Sequence, residues 1–358
     1  MKVVLLHGYS AVNAGDGLLV EESITIVREA FGDEIEFTLA ASHPETFGHL
    51  GVRVVDSAPS ARGYSRDYLR LLRTLDRFDL VVGVGGGYLR AGYGLEALKM
   101  GLVHGPQLAA AARTSTPTVY LPQSVGPAGS PVRRVIGRGM RAIDRFYVRD
   151  DRTVAEFGRC GVERVPDLAI LSATANVGNL PVADVPVVSV RSVRGTVSPL
   201  VTDLCRQLGT FDGYIQSETA GNDDRAVMAS IGADRILTRD ELMRPVDHVR
   251  VVVAVRLHAA LMALRAGHYV VHLAYERKGF GAFEDLGLDE YVHNVNMFEP
   301  ERILEQIRRL TGDSATRDDY RRRAAAAVES AEAVRSALVA DLRGRVDGAR
   351  RSRETSAC

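Results

Sequence analysis

Several patterns that mark particular protein classes are missing from this sequence of 358 residues. It has three cysteines, Cys160, Cys205 and Cys358, and no CxxC pair, which argues against a disulfide framework and a zinc site of that type. No apolar run approaches the roughly 20 residues that span a bilayer. The apolar stretch at positions 3–6 is too short for the core of a signal peptide. We therefore expect a soluble protein with a cytoplasmic location.

An excess of charge of either sign is also lacking, because 45 Lys and Arg residues balance 45 Asp and Glu residues. A chain without net charge has no global field to attract nucleic acid or an anionic membrane, so anion specificity must come from locally placed Arg and Lys. The sequence has neither HExxH spacing nor an Asp-x-Asp pair, which argues against a zincin and a divalent-metal nucleotide-sugar site of that kind. We expect no metal and no cofactor. The absence of Trp excludes no class of protein.

What the sequence does contain is an alternation of short β-branched runs with helical stretches, which predicts parallel sheets with crossover helices. In the first half, strands are predicted at 2–7, 35–40, 52–56, 79–84, 118–121 and 144–148, and helices at 17–31, 64–77, 95–113 and 131–141. In the second half, strands are predicted at 186–190, 213–216, 235–237, 249–255 and 269–273, and helices at 197–208, 223–231, 257–266 and 299–310. The chain is predicted to end in an Ala- and Arg-rich helix at about 316–343 and a frayed tail from Gly344.

This alternation predicts two α/β domains, and 358 residues with 46% hydrophobic content are enough for two cores. We place the N-terminal domain at 1–171 and the C-terminal domain at 186–315. Small and turn-favouring residues are dense at 172–185, which we interpret as a hinge. The helix and tail at 316–358 are predicted to pack across both domains.

In such sheets, ligands bind where loops leave the carboxyl ends of the strands. The first predicted loop, at 7–17, contains glycines and opens a helix whose N-terminal N–H groups can bind an anion. An ordinary turn with Asp16 as the helix N-cap explains it equally well. The second loop, at 83–89, contains Gly85, Gly86 and Gly87, which favour the close approach of a ligand over packing alone. It is neither a dinucleotide-binding motif nor a Walker A motif.

Two further strand ends carry polar side chains. The segment at 121–127 presents the amide of Gln123 and the hydroxyl of Ser124, although a plain turn is its simplest interpretation. Arg149 follows the predicted strand at 144–148, where a surface ion pair with Asp150 or Asp151 is the alternative to a functional role.

The most informative stretch lies at 251–264, where a fully apolar strand runs into Arg256 and His258 and then into a helix of small residues. The fork of an arginine guanidinium suits a carboxylate or a phosphate. A single histidine is more often a packing residue than a catalyst, but its position beside Arg256 favours a functional role. Lys278, after the next strand, brings a further cation to the same edge of the predicted sheet.

Taken in order, these motifs and several others resemble the polysaccharide pyruvyl transferase family. The matching elements are Gly8-Tyr9, Asn13-Ala14-Gly15-Asp16, Gly85-Gly86-Gly87, Gln123-Ser124-Val125-Gly126-Pro127, Val148-Arg149-Asp150, Val165-Pro166-Asp167-Leu168-Ala169, Ile215-Gln216-Ser217, Arg256-Leu257-His258-Ala259-Ala260 and Tyr275-Glu276-Arg277-Lys278. The resemblance implies two Rossmann-like domains in a GT-B-like arrangement with an interdomain cleft. It also implies transfer of pyruvate from phosphoenolpyruvate, the donor substrate, to a sugar of a polysaccharide or glycan precursor as a ketal, with release of phosphate.

The resemblance assigns Arg256 and Arg149 to the anionic groups of phosphoenolpyruvate, and His258 is the predicted general acid and base of that reaction. The candidates for other substrate contacts are Asn13, Gly15, Asp16, Gly86, Gly87, Gln123, Ser124 and Lys278. The sequence leaves open which sugar is the acceptor, whether it is lipid-linked, and whether the chain forms a homo-oligomer. Two other functions stay open as well: a nucleotide-sugar glycosyltransferase of the same architecture, and a non-catalytic protein that binds a sugar phosphate or another anion.

Overall fold

A computed structural model describes residues 1–92, 94–172, 180–192, 196–219 and 222–356 of the chain. By their internal contacts the residues form two units. The first unit contains Met1–Ala11, Asp16–Leu168 and Val334–Cys358, and the second contains Val12–Gly15 and Ala169–Ala333. The second unit therefore starts at Ala169, upstream of the predicted hinge. Positions 173–179 of that hinge lie outside the described residues, so the hinge stays a prediction.

The first unit is built on a parallel sheet. Its strands are β1 (Lys2–Gly8), β2 (Glu36–Ala41), β3 (Arg53–Asp56), β4 (Leu80–Gly83), β5 (Gly86–Ala91), β6 (Thr118–Ala128), β7 (Arg145–Val148) and β8 (Val162–Arg164). They lie in the order β3-β2-β1-β4-β6-β7-β8, with β5 paired to β6, and every pairing is parallel. Val3, Val4, Leu5 and Leu6 of β1 are all fully buried, which is typical of a parallel strand covered on both faces.

Helices connect these strands. They are α1 (Ala14–Phe31), α2 (Arg66–Arg73), α3 (Gly94–Val103), α4 (Gly105–Ala111), α5 (Ser130–Arg141) and α6 (Asp151–Phe157). The short α7 (Leu168–Leu171) follows β8, and the second unit begins within it. Leu71 of α2, Leu108 of α4 and Met140 of α5 pack in one core cluster with Tyr120 of β6. The predicted helix at 95–113 is divided into α3 and α4. Pro106 lies in the first turn of α4, where its missing N–H removes no intrahelical hydrogen bond.

The segments predicted as loops at 83–89 and 121–127 are largely extended strand. β5 begins at Gly86, β6 continues to Ala128, and Gly86 pairs with Gln123. The loop prediction was therefore wrong for Gly86, Gly87, Gln123 and Ser124. Glycine and proline favour turns locally, whereas here the pairing of β5 with β6 holds both segments extended.

The second unit contains another parallel sheet. Its strands are β9 (Val187–Ser189), β10 (Asp212–Tyr214), β13 (Ile236–Leu237), β14 (Val251–Ala254), β15 (Tyr269–Ala274) and β16 (Val292–Asn294), in the order β13-β10-β9-β14-β15-β16, and β11 (Glu218–Thr219) pairs antiparallel with β12 (Asn222–Asp223). The helices are α8 (Pro199–Leu208), α9 (Arg225–Ile231), α10 (Arg239–Met243), α11 (Leu257–Arg265), α12 (Arg277–Asp285), α13 (Pro300–Gly312) and α14 (Ser314–Ser356). The strand order places the ends of β10, β9, β14 and β15 side by side at one edge of the sheet.

The last helix does not fray where the sequence predicts. α14 continues to Ser356, and Leu342 and Val346 are buried on either side of Gly344. The guanidinium of Arg343 donates to the carbonyl oxygens of Glu29 and Ala30 near the end of α1, at 2.6 and 2.5 Å. Glycine weakens an isolated helix, but these tertiary contacts within the first unit outweigh its low propensity. Among the described helices, none has both the length and the apolar character needed to cross a membrane.

Several buried histidines lie in environments that favour their neutral form. Burial lowers the pKa of His104 to about 3 and the pKa values of His268 and His272 to about 4. Burial, together with the charge of His104, also lowers the pKa of His7 well below its usual value. Each of these side chains must therefore remain uncharged in the folded protein at mildly acidic pH.

We expect the protein to lose stability as the pH falls from about 6.5 to 5. In this range the unfolded chain binds protons at these histidines and the folded chain does not, which removes about 2 kcal/mol of unfolding free energy per histidine at pH 5. Urea unfolding at pH 7 and pH 5 measures the difference. His272→Gln removes one of the groups and should reduce the pH dependence. Equal unfolding free energies of the wild type at both pH values would contradict this expectation.

Candidate functional site

Arg149 lies at the carboxyl end of β7 in the first unit. Its side chain is almost completely buried, and its Nη1 donates to the carboxylate of Asp167, which is also buried. Its Nε donates to the hydroxyl of Ser124 on the neighbouring strand at 3.0 Å. Arg149 is therefore held by Asp167 rather than by Asp150, whose carboxylate instead caps α6 by accepting from the N–H of Thr153.

Gly87 of β5 lies against the same guanidinium. A Cβ on Gly87 would lie 3.5 Å from Nη2 of Arg149 and 3.8 Å from Cβ of Ser124, so these three residues form one cluster. Gln123 is fully buried; its Nε2 donates to the carbonyl oxygen of Val84 and to the hydroxyl of Tyr88. Its visible role is to hold the segment 84–88 in place, and its contact with substrate stays a prediction.

Arg256 lies in the second unit, directly before α11, and is paired in the same way. Its Nε donates to Oδ2 of Asp224 at 2.5 Å and its Nη2 to Oδ1 at 2.7 Å, which is a bidentate ion pair. Arg256 and Asp224 are 6% and 1% exposed. Burial raises the pKa of the Asp224 carboxyl, and the hydrogen bonds from Arg256 oppose that rise. The pair fixes the guanidinium at the carboxyl end of β14, where the sequence predicts an anion site.

His258 is half-buried in the first turn of α11 and contacts the segment Val12–Gly15, which belongs to the same unit. A Cβ on Gly15 would lie 2.6 Å from Nδ1 of His258 and 2.8 Å from its Cβ. The absence of a side chain at Gly15 is what makes room for the imidazole. His258 is thus not enclosed in the core.

Hydrogen bonds to the segment at 216–217 and a bond to the Asn13 side chain hold the start of α1 in place. Asn13 forms an antiparallel bridge with Ser217, and the N–H of Ala14 donates to the carbonyl oxygen of Gln216 at 3.1 Å. Oδ1 of Asn13 accepts from the N–H of Gly15 at 3.2 Å. Asn13 is therefore the residue that caps α1, and the alternative with Asp16 as N-cap is wrong because Asp16 lies inside the first turn.

Gly15 gives a direct test of the position of His258. We expect Gly15→Ala to lower kcat by about 10–100-fold, because the added methyl group displaces the imidazole, and misplacement of a catalytic group by about an ångström costs that much. Steady-state kinetics measures the effect. Gly101→Ala in α3 is the matched control, since a Cβ there meets no atom within 4 Å. A Gly15→Ala variant with wild-type kcat would remove His258 from the proposed chemistry.

Lys278 lies in the first turn of α12, which follows β15. Its ammonium group forms an ion pair with Glu276 at 2.9 Å. Because β15 lies beside β14, Lys278 and Arg256 follow neighbouring strand ends of one sheet. The predicted gathering of cations at this edge is therefore present.

Three charged residues of these clusters were not predicted from the sequence as site residues. Asp167 and Asp224 hold the two arginines, and Arg191 follows β9 at the same edge as Arg256. Nη1 of Arg191 contacts the hydroxyl of Tyr275 at 2.5 Å, and its charge lowers the pKa of Asp224. Arg191 could have been found from the sequence, because it follows a predicted apolar strand just as Arg149 and Arg256 do. Within the described ranges, no three His, Cys, Asp or Glu side chains are grouped so as to hold a metal ion.

The family model of polysaccharide pyruvyl transferases matches residues 13–277, which is most of the chain. This chain belongs to the polysaccharide pyruvyl transferase family. The match confirms the family predicted from the ordered motifs, and it covers the segment at 13–16 as well as both arginine clusters. No curated protein sequence matches the chain significantly.

Two solved structures are similar to this family member over almost its whole length. HepE of Anabaena, in complex with UDP and glucose, is 12% identical with a TM-score of 0.54, and the match covers 98% of this chain and 100% of HepE. A mutant O-GlcNAc transferase of Thermobaculum terrenum is 15% identical with a TM-score of 0.52, over 98% of this chain and 68% of that one. At such low identity the similarity concerns the fold alone. It confirms the predicted class of two Rossmann-like α/β domains of the GT-B type.

Proposed function

We propose that this transferase moves pyruvate from phosphoenolpyruvate to a sugar of a polysaccharide or glycan precursor as a ketal and releases phosphate. The observation that carries the proposal is the start of α11, where Arg256, fixed by Asp224, lies two residues before His258, within a chain of the pyruvyl transferase family. We further expect the protein to act in the cytoplasm.

The charges fit this donor. Phosphoenolpyruvate carries about three negative charges near neutral pH. The chain has no net positive charge, so donor binding must depend on individual arginines and lysines. We assign its carboxylate and phosphate to Arg256 and Arg149, each already oriented by a buried aspartate, with Lys278 as a further cation. An arginine held in this way needs little reorganisation when an anion arrives.

The reaction needs one acid–base group and two acceptor hydroxyls. Carbon 3 of the donor takes up a proton from His258 while carbon 2 gains cationic character. One sugar hydroxyl forms a bond to carbon 2, the bond to the phosphate oxygen breaks, and a second hydroxyl closes the ketal. Of the two hydroxyl protons, one replaces the proton given to carbon 3 and the other leaves with phosphate. His258 is the group we assign to these transfers.

The remaining candidates for contacts with the substrates are Asn13, Gly15, Asp16, Gly86, Gly87 and Ser124. Gly15 and Asp16 lie in the first turn of α1, and Gly15 contacts His258. Gly87 allows a close approach to the backbone beside Arg149, and Gly86 directly precedes it in β5.

Incubation of the protein with phosphoenolpyruvate and a panel of glycan acceptors tests the proposal. We expect phosphate release together with a product heavier by one pyruvate less one water. Release of a nucleoside diphosphate from a nucleotide sugar, with no reaction of phosphoenolpyruvate, would instead support a glycosyltransferase, such as the O-GlcNAc transferase with a similar fold. Binding of phosphoenolpyruvate without turnover would support a non-catalytic anion-binding protein.

The scheme uses no metal ion, because it assigns the anionic groups of the donor to arginines and a lysine. We expect kcat and KM for phosphoenolpyruvate to be unchanged in the presence of EDTA. Assays with and without the chelator, followed by addition of Mg²⁺, measure this. A loss of activity in EDTA that Mg²⁺ restores would show that a divalent cation takes part in donor binding or chemistry.

A further inference from the structure

Gln216 is a buried polar side chain without a partner. It lies two residues beyond the end of β10 and is 2% exposed. Among the described residues, neither its Nε2 nor its Oε1 has a hydrogen-bond partner. Buried amides are nearly always paired, and leaving both arms unpaired costs free energy. Ser189, at the end of the neighbouring strand β9, has a buried unpartnered hydroxyl as well.

The position of Gln216 connects it to the proposed catalytic residues. Its carbonyl oxygen accepts from the N–H of Ala14, and the next residue along, Gly15, contacts His258. On its other side, the carbonyl oxygen of Ser217 accepts from the N–H of Asp224, which holds Arg256. A continuous set of contacts therefore joins Gln216 to His258 and to Arg256 within the second unit.

The chemistry of the amide indicates its ligand. A carboxylate or phosphate accepts hydrogen bonds only, so it would pair with Nε2 and leave Oε1 unsatisfied. Two hydroxyls of one sugar satisfy both arms, because one accepts from Nε2 and the other donates to Oε1. A ketal is formed from two hydroxyls of one sugar.

We propose that the Gln216 side chain binds the two acceptor hydroxyls that become the oxygens of the ketal. This inference rests on the proposed function, and it names the residue that selects the sugar. The amide takes no proton in the reaction. It fixes which two hydroxyls face carbon 2 of the donor.

The variant Gln216→Leu tests this, with a side chain of similar size and no polar atoms. The wild type is first assayed with phosphoenolpyruvate and methyl glycosides of galactose, glucose and mannose, and the best acceptor is used throughout. We expect the acceptor KM of the variant to rise about tenfold or more, as the loss of one or two buried hydrogen bonds requires, with an unchanged KM for phosphoenolpyruvate. The variant should unfold at the same or a higher temperature than the wild type without substrate, because an unpaired buried amide has been removed.

Deoxy glycosides that lack one of the two ketal hydroxyls provide the second measurement, as competitive inhibitors. A deoxy glycoside should inhibit the wild type about tenfold more weakly than the parent glycoside does. It should inhibit Gln216→Leu as strongly as the parent does, since this variant lacks the amide that the hydroxyl would bind. Ser57→Ala, which removes a buried unpartnered hydroxyl in the first unit, should change neither KM.

An unchanged acceptor KM in a folded Gln216→Leu variant would overturn the assignment, as would a rise confined to the KM for phosphoenolpyruvate. If the wild type releases no phosphate with any acceptor, the proposed function itself fails. This result is distinct from an active wild type and a Gln216→Leu variant with an unchanged acceptor KM, which overturns only the assignment of Gln216.

Discussion

His258→Ala is expected to lower kcat by about 10²–10⁴-fold, the usual effect of removing a general acid or base. The Kd for phosphoenolpyruvate should change much less, because the cations that hold its carboxylate and phosphate remain. Single-turnover kinetics and calorimetric titration measure the two quantities separately. We therefore expect the slower chemical step, rather than weaker donor binding, to account for almost all of the lost activity.

The geometry around His258 makes this variant informative. The side chain is half-buried and lies beside Gly15, so its removal leaves a gap at the start of α11 but takes no residue from the fully buried core. His49→Ala is a suitable control, because His49 is exposed and its imidazole forms a surface contact with the carboxylate of Glu21. A His258→Ala enzyme within a few-fold of the wild-type kcat would refute the assignment.

Replacement of Arg256 should have the largest effect on donor binding. Loss of a charged hydrogen-bonding group is expected to weaken phosphoenolpyruvate binding by about 10–100-fold. Arg256→Met also leaves the Asp224 carboxylate buried without its partner, which is expected to lower the unfolding free energy by about 3–5 kcal/mol. Reduced activity of this variant alone would therefore not separate binding from folding.

The double variant Arg256→Met, Asp224→Leu separates the two effects. Replacing both members of a buried ion pair with apolar residues is often neutral or stabilising, so we expect stability near that of the wild type. Donor binding should stay weak, because the guanidinium is still missing. Wild-type affinity for phosphoenolpyruvate in a stable double variant would show that Arg256 serves only the fold.

The sequence predicted the structure best where the pattern of apolar and polar side chains alone determines the secondary structure. Apolar runs such as 3–6 and 251–253 lie in buried strands, and the polar residues that follow them lie at the strand ends, because parallel strands buried on both faces leave few alternatives. The ordered motifs then added the family, which short motifs taken singly could not establish.

What the sequence did not predict depends on contacts between distant residues. Asp167 and Asp224 lie 18 and 32 positions from the arginines that they hold, and isolated aspartates are common in turns and caps. The pairing of β5 with β6 likewise overrode the turn preference of Gly86 and Gly87. No local pattern reports whether a buried amide such as that of Gln216 has a partner.

The division of the last helix between the two units has a consequence for biosynthesis. Leu338, Leu342 and Val346 belong to the unit that contains Met1–Ala11, although they are translated after all of the second unit. The first unit therefore cannot complete its core until the residues that follow Ala333 have left the ribosome, when the whole second unit has already been synthesised. Chaperone demand during translation should fall on this unit, which is the reverse of the usual order in which N-terminal domains fold first.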